Sequence, residues 1–248
     1  MTRKYNLKLK PHSHTFSLLK GITTPLSLPS SVDLRAKCPP IYDQGSLGSC
    51  TANALGFLMN FDDLTLTPSR LFIYYNERVI EHSIPTDAGA CLSDGIQTLL
   101  KNGVCPEVEW PYVISKFAVK PNVQCYTNAL QHTALQVFQV QQNLNSMKGC
   151  LAQGLPFCCG IQVYSSFESP QVTQTGIAPL PSKTEQCLGG HAIACVGYND
   201  ATQTFIMRNS WGTGWGQAGY FTLPYSYLTN PNLASDMWAI SKVKIQTK

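Results

Sequence analysis

Nowhere in the 248 residues do apolar side chains run on for the roughly eighteen positions that a membrane-spanning helix requires, so insertion of that kind is excluded. Charge is also scarce. Charged residues make up 13% of the chain and the net charge is +4, too mild and too scattered to argue for a nucleic-acid partner, and no basic patch is interleaved with aromatics. Residues 1–32 contain no Asp or Glu. The basic start, MTRKYNLKLKPHSHTF, leads into no continuous apolar core, so no secretory signal is expected and a cytoplasmic or particle-associated setting, microbial or viral, is. The ten cysteines include no Cys-x-x-Cys pair and no partnered histidine spacing, so neither metal nor cofactor is expected; a zinc site would have to be assembled from distant segments. In a reducing compartment these thiols stay largely free, although their even number leaves a disulfide framework open. No internal repeat or low-complexity tract occurs.

What is present is a chain that is 44% hydrophobic with a mean hydropathy near zero, long enough for one large domain or two modest lobes. Residues 1–27 form an arm. In it Tyr5, Leu7 and Leu9 alternate with polar neighbours at the period of a strand, while Pro11, Pro25 and Pro29 interrupt any helix. From Ser49 the period becomes helical, with Ala54, Phe57, Leu58 and Phe61 marking the stripe of a half-buried helix. A second helix is expected from Thr67-Pro68-Ser69 through RLFIYYNERVIE, and a third from Ser93 to Lys101 before Asn102-Gly103. After a Pro-rich passage the texture shifts to strands: ALQVFQVQ, then a short helix ending near Gly154, then PFCCGIQVY, HAIACVGY, TFIMRN and GYFTL. Helices first and an antiparallel sheet second imply an α+β protein of two lobes: helical over about 44–130, β over about 131–223, with a C-terminal tail over 224–248.

The chemistry is concentrated in few places. Gln44-Gly-Ser-Leu-Gly-Ser-Cys50 sets a thiol at a helix N-terminus, where unpaired N–H groups and the helix dipole favour the thiolate that a nucleophile needs. A histidine must reach it. Of the five, His12 and His14 sit in the arm and His82 and His132 lie amid polar residues, while His191 starts an apolar strand behind Gly189 and Gly190. Asn209, on the next strand, can hold the second ring nitrogen, and Trp211 can shield that hydrogen bond from water. Elsewhere Cys150, Cys158, Cys159 and Cys195 read as structural, and Asp94, Glu107 and Glu109 as solvated.

These segments resemble the papain-like cysteine proteases. QGSLGSCTANA at 44–54 is similar to that family's nucleophile segment, Gly190-His191-Ala192 with Val196-Gly197-Tyr198 to its histidine strand, and RNSWGTGWG at 208–216 to its asparagine motif; LPSSVDLR at 28–35 resembles the entrance to its mature enzyme. The resemblance implies a two-lobe fold, with a helical left lobe and an antiparallel, barrel-like β lobe over 28–248, and an active-site cleft between them. It also implies a peptide or protein substrate, Cys50 as nucleophile, His191 as base then acid, Asn209 as orienter, and Gln44 with the Cys50 N–H as oxyanion donors. Gly189, Gly190 and Trp211 would line the substrate groove. Three departures stand out: Leu47 replaces a disulfide cysteine, Thr51 a tryptophan, and Gly190 an acidic or amide residue, while GACLSDG at 89–95 is only the nearest counterpart of a Gly-Gly wall. The arm either docks as an edge strand or wrapping tail, or occupies the cleft as a short inhibitory pro-segment of a zymogen. The same triad would also serve a peptide ligase or transpeptidase, and a catalytically silent binding protein on this fold is the further alternative.

Overall fold

The computed structural model describes residues 3–8 and 27–243; Leu9, His12 and His14 of the arm lie outside the described residues. The first helix, α1 (Cys50–Asp62), is sequestered on every side from Cys50 to Asn60, more than the half-buried stripe predicted. It touches α2 (Arg70–Ile80) and α3 (Leu92–Lys101) on one side and the sheet on the other, which is why apolar residues surround its axis. The cap of α2 is Ser69, whose Oγ accepts the Phe72 N–H at 3.1 Å, as the Thr-Pro-Ser signal predicts. Sequence periodicity misses α4 (Val123–Ala129), a short helix opened by Asn122 accepting the Cys125 N–H.

Seven strands make one sheet among the described residues: β1 (Ser31–Asp33), β2 (Ala134–Gln139), β3 (Phe157–Tyr164), β4 (Cys187–Asn199), β5 (Thr204–Arg208), β6 (Tyr220–Pro224) and β7 (Ala234–Val243). The order is β2-β7-β3-β4-β5-β6, with β1 on the far end of β4, and all named pairings are antiparallel. The sheet is open, with β2 and β6 at its edges, so the barrel of the expectation is only loosely approached. A connecting helix, α5 (Leu144–Ala152), packs on β4.

The supposed C-terminal tail is a central strand. β7 fills the gap between β2 and β3, and Met237, Trp238, Ala239 and Ile240 are all buried. Its alternation is broken by a register shift opposite Cys158 to Gly160 and by Asp236 at φ +58°, which hides the period-two signal. Cys158 and Cys159 are both buried, because β3 is covered on both faces. The three carboxylates read as solvated are not: Asp94 is buried, Glu107 pairs with Arg70 at 2.6 Å, and Glu109 has one oxygen closed off from solvent while the other accepts Asn128 Nδ2 at 2.8 Å.

Candidate active site

The start of α1 and the end of β5 meet β4 at His191, which lies inside the strand and not at its start, because β4 already begins at Cys187 and includes Gly189 and Gly190. Ala194 on β4 faces Arg208 on β5, so the chain leaving β5 carries Asn209 alongside His191. There His191 Nε2 donates to Asn209 Oδ1 at 2.9 Å, and that oxygen also accepts the Ser210 N–H at 2.8 Å. With Nε2 holding the proton, Nδ1 is left as the basic nitrogen, and it is buried without a hydrogen-bond partner among the described residues. Trp211 stacks on the imidazole with centroids 4.9 Å apart and planes 22° from parallel, which covers the His191–Asn209 bond as predicted. Cys50 opens α1, and its Sγ lies close enough to the backbone N–H of Ala192, the residue after His191, for that dipole to favour the thiolate. Ser49 does not cap the helix: its Oγ is engaged by Tyr112 Oη at 2.6 Å and by Asn53, so the first-turn N–H groups stay turned toward the thiol.

The loop before Cys50 is fastened to the sheet by hydrogen bonds. Gln44 N–H donates to Ser210 O at 2.9 Å, Gly212 N–H donates to Tyr42 O at 3.0 Å, and the Arg208 guanidinium grips Pro39 O and Pro40 O. Gln44 itself is buried; its Nε2 donates to Leu47 O at 3.0 Å and its Oε1 accepts Ser210 Oγ at 2.6 Å. That fixes the amide plane and leaves one N–H of Nε2 uncommitted among the described residues.

Residues 3–8 lie across this site. Leu7 N–H donates to Gly190 O at 3.1 Å, Lys8 N–H donates to Ala90 O at 3.0 Å, and Asn6 bridges Gly190 in a parallel sense. Two glycines make the approach possible. A Cβ on Gly89, which sits at φ +71°, would fall 1.8 Å from the Asn6 carbonyl oxygen, and one on Gly189, at φ +132°, would fall 2.5 Å from that of Tyr5. The two walls of the groove are therefore 89–90 and 189–190, which locates the GACLSDG counterpart opposite the predicted glycines. Tyr5 meets His191 and Trp211 edge-on at 6.2 Å, and Arg3 lies 3.9 Å over the Trp211 ring while pairing with Glu168 at 3.2 Å.

Electrostatics follow from this covering. Burial pushes the Cys50 thiol up to about 12, against the nearby N–H of Ala192, and Glu77 raises it further. Burial likewise lowers His191 to about 4; the Asn209 bond opposes the shift and the Arg3 charge adds to it. A lowered thiol was expected from the helix dipole, and in the arm-covered site desolvation overrides it.

Two residues were not legible as site residues. Asp87 accepts Gly48 N–H at 3.0 Å, Tyr74 Oη at 2.5 Å and Lys4 Nζ at 2.6 Å, so one carboxylate holds both the nucleophile loop and the arm. Glu77, fully buried beneath α1, accepts Thr51 Oγ1 at 2.8 Å, and burial raises its carboxyl well above the usual range. The Thr51 departure thus carries a partner of its own. A lone acidic residue in a loop and another inside a helical stripe leave no sequence signal.

Residues 28–239 match the profile of the papain family cysteine proteases. A peptidase C1-like protein of Acanthamoeba polyphaga mimivirus is 41% identical over 96% of this chain and 78% of its own. The crystal structure of xylellain, a cysteine protease from Xylella fastidiosa, superposes with a TM-score of 0.88 at 40% identity over 97% of each chain. Digestive procathepsin L 3 of Tenebrio molitor, at 18% identity and a TM-score of 0.68 over 97% of this chain and 75% of its own, shares the fold.

Proposed function

The chain belongs to the papain family of cysteine proteases, and we propose that it cleaves peptide bonds through Cys50, His191, Asn209 and Gln44. Cys50 gives its proton to His191 Nδ1 and its sulfur attacks the scissile carbonyl carbon. The oxyanion is received by the free N–H of Gln44 Nε2 and the N–H of Cys50, interactions worth about 3–4 kcal/mol in the transition state. His191 then passes the proton to the leaving amine, leaving a thioester on Cys50. Water, deprotonated by the same nitrogen, attacks the thioester and releases the acid and the thiol. Asn209 keeps the imidazole in the tautomer that both steps require.

The observation that carries this reading is the joint placement of a helix-terminal thiol against the residue following His191 and of His191 Nε2 against Asn209. An extended substrate would lie between 89–90 and 189–190, over Trp211. Because residues 3–8 use those same main-chain groups, we propose further that 1–27 act as an inhibitory segment and that the full chain is a zymogen. Hydrolysis of a fluorogenic peptide, with thiol-trap labelling followed by mass mapping, tests the site. Cys50→Ala is expected to lower the rate by at least about 10⁴-fold with the fold retained; label on another cysteine, or activity surviving in the variant, overturns the assignment.

A further inference from the structure

In the helical lobe three side chains of ligand type meet, and one carboxylate oxygen among them has no partner among the described residues. Cys105 and Glu109 belong to the connection that follows α3, and Cys125 lies in α4. The two Sγ atoms and a Glu109 carboxylate oxygen lie within 4.8 Å of one another. Both thiols are buried, at 0% and 1% exposure. Glu109 Oε1 accepts Asn128 Nδ2 at 2.8 Å, and Asn128 Oδ1 in turn accepts Gln124 Nε2 at 2.8 Å, which fixes the plane of the carboxylate. Its other oxygen, Oε2, is closed off from solvent and has no hydrogen-bond partner among the described residues. The Cys125 thiol makes a long contact, 3.8 Å, to the Glu109 carbonyl oxygen and otherwise meets the Cys105 thiol.

We propose that Cys105, Glu109 and Cys125 bind a divalent cation of the zinc class. A tetrahedral ion with sulfur at about 2.3 Å and carboxylate oxygen at about 2.1 Å needs ligand atoms roughly 3.5–3.8 Å apart, so a contraction of at most about 1.3 Å closes the site. Two thiolates with one carboxylate select zinc over the harder calcium and magnesium. Binding releases the two thiol protons to solvent, forms two metal–sulfur bonds and one metal–oxygen bond, and leaves the fourth position to water. The site charge is thereby unchanged. A Cys105–Cys125 disulfide would require an oxidant and would leave Glu109 Oε2 as unpaired as before, whereas the cation satisfies all three groups. The Asn128 and Gln124 amides then stand as the outer partners that orient a metal-bound carboxylate. The zinc site that cysteine spacing could not announce is thus assembled from two segments.

Such a clip would tie α4 to the connection that carries Tyr112, whose hydroxyl donates to Gln44 O at 2.9 Å and meets Ser49 Oγ. The metal would thereby steady the backing of the nucleophile loop from outside the groove.

The test uses the full chain carrying Cys50→Ala, so that the nucleophile cannot capture metal, reduced, stripped of metal and titrated with cobalt(II) and then zinc(II). Expected are one equivalent of cobalt with a thiolate-to-cobalt charge-transfer band, displacement by zinc, two protons released per zinc, and a Tm higher by about 5 °C at a hundredfold excess over Kd. In the same background Cys125→Ser abolishes the band and Glu109→Gln weakens binding by about tenfold or more. No charge-transfer band, a band that persists in Cys125→Ser, or a Cys105–Cys125 disulfide in protein prepared under reducing conditions overturns the proposal. If Cys125→Ser does not fold, Glu109→Gln decides: unchanged cobalt affinity overturns it.

Discussion

Leu7→Ala separates an arm that inhibits from one that merely docks. Leu7 is the apolar anchor of the described arm, 8% exposed, with its N–H bonded to Gly190 O. Removing three buried carbons costs about 2 kcal/mol of docking free energy, while the main-chain bonds to Gly190 and Ala90 remain. That is about a 30-fold shift in the docking equilibrium. A tethered segment that competes for the groove raises apparent KM and leaves kcat alone, since saturating substrate displaces it. The full chain carrying Leu7→Ala should therefore show KM up to about 30-fold lower than the parent at unchanged kcat, bounded by a variant lacking residues 1–27. Initial rates on a fluorogenic peptide amide, with Tm recorded for each protein, measure this. Equal KM in the parent, Leu7→Ala and the truncated chain, all folded, would refute the inhibitory reading. A change confined to kcat would refute the competitive geometry.

Gln44→Ala should lower kcat by on the order of 10²–10³-fold in the truncated enzyme with little change in KM, because the lost N–H serves the oxyanion and not the bound peptide; a KM effect alone would remove Gln44 from the oxyanion site. Glu77→Gln keeps the acceptor for Thr51 Oγ1 and abolishes a titration. Burial holds the Glu77 carboxyl well above its unfolded value, so its stability contribution is full below about pH 4.3 and drains away as pH rises toward the folded value. Relative to the parent, Glu77→Gln should gain stability with rising pH by up to about 1.4 kcal/mol per unit, read from denaturant unfolding at several pH values; parallel pH curves would show Glu77 ionised or exposed. Raising ionic strength should lower KM of the full chain by about two- to fivefold and leave the truncated chain unmoved, because Lys4–Asp87 and Arg3–Glu168 are partly exposed pairs. Equal salt responses would separate those pairs from inhibition.

The residues that the sequence made legible are those whose chemistry repeats a local pattern. Gln44, Cys50, His191 and Asn209, the proposed catalytic set, are marked in sequence by a glycine loop, a helix start and a Gly-Gly pair before an apolar run; the structure sets Gln44 against Ser210, His191 against Asn209 and Cys50 near the residue after His191. The α2 cap at Ser69 and the run of β3, β4, β5 and β6 were equally readable, because capping and period-two alternation are local. What escaped depended on contacts between distant segments. β7 hides behind a bulge and a left-handed Asp236, and its role between β2 and β3 is set by pairing across nearly the whole chain. Asp87, Glu77 and Glu109 look like ordinary surface carboxylates until the fold surrounds them. The direction of the Cys50 shift also escaped, since a helix dipole can be inferred from sequence whereas the dryness of the groove cannot.

That dryness links the arm to the chemistry. With Tyr5 against the imidazole, Arg3 over Trp211 and Leu7 seated on Gly190, the sulfur and the ring are both fully buried, and burial favours the neutral thiol and the neutral imidazole. Arg3 adds a positive charge beside a ring that must itself become positive. On the proposed inhibitory role, lifting the arm would remove that charge, readmit water to the groove and let the α1 dipole and the Ala192 N–H act on the sulfur against a smaller desolvation penalty. On that proposal one displacement would supply both conditions for turnover, an empty groove and a thiol able to lose its proton. A segment that blocked only by occupancy would need no cation at position 3. Arg3→Gln in the full chain should accordingly raise the alkylation rate of Cys50 by a small neutral trap, which does not need the whole groove, more than it lowers KM for a peptide; the reverse order would assign Arg3 to docking alone.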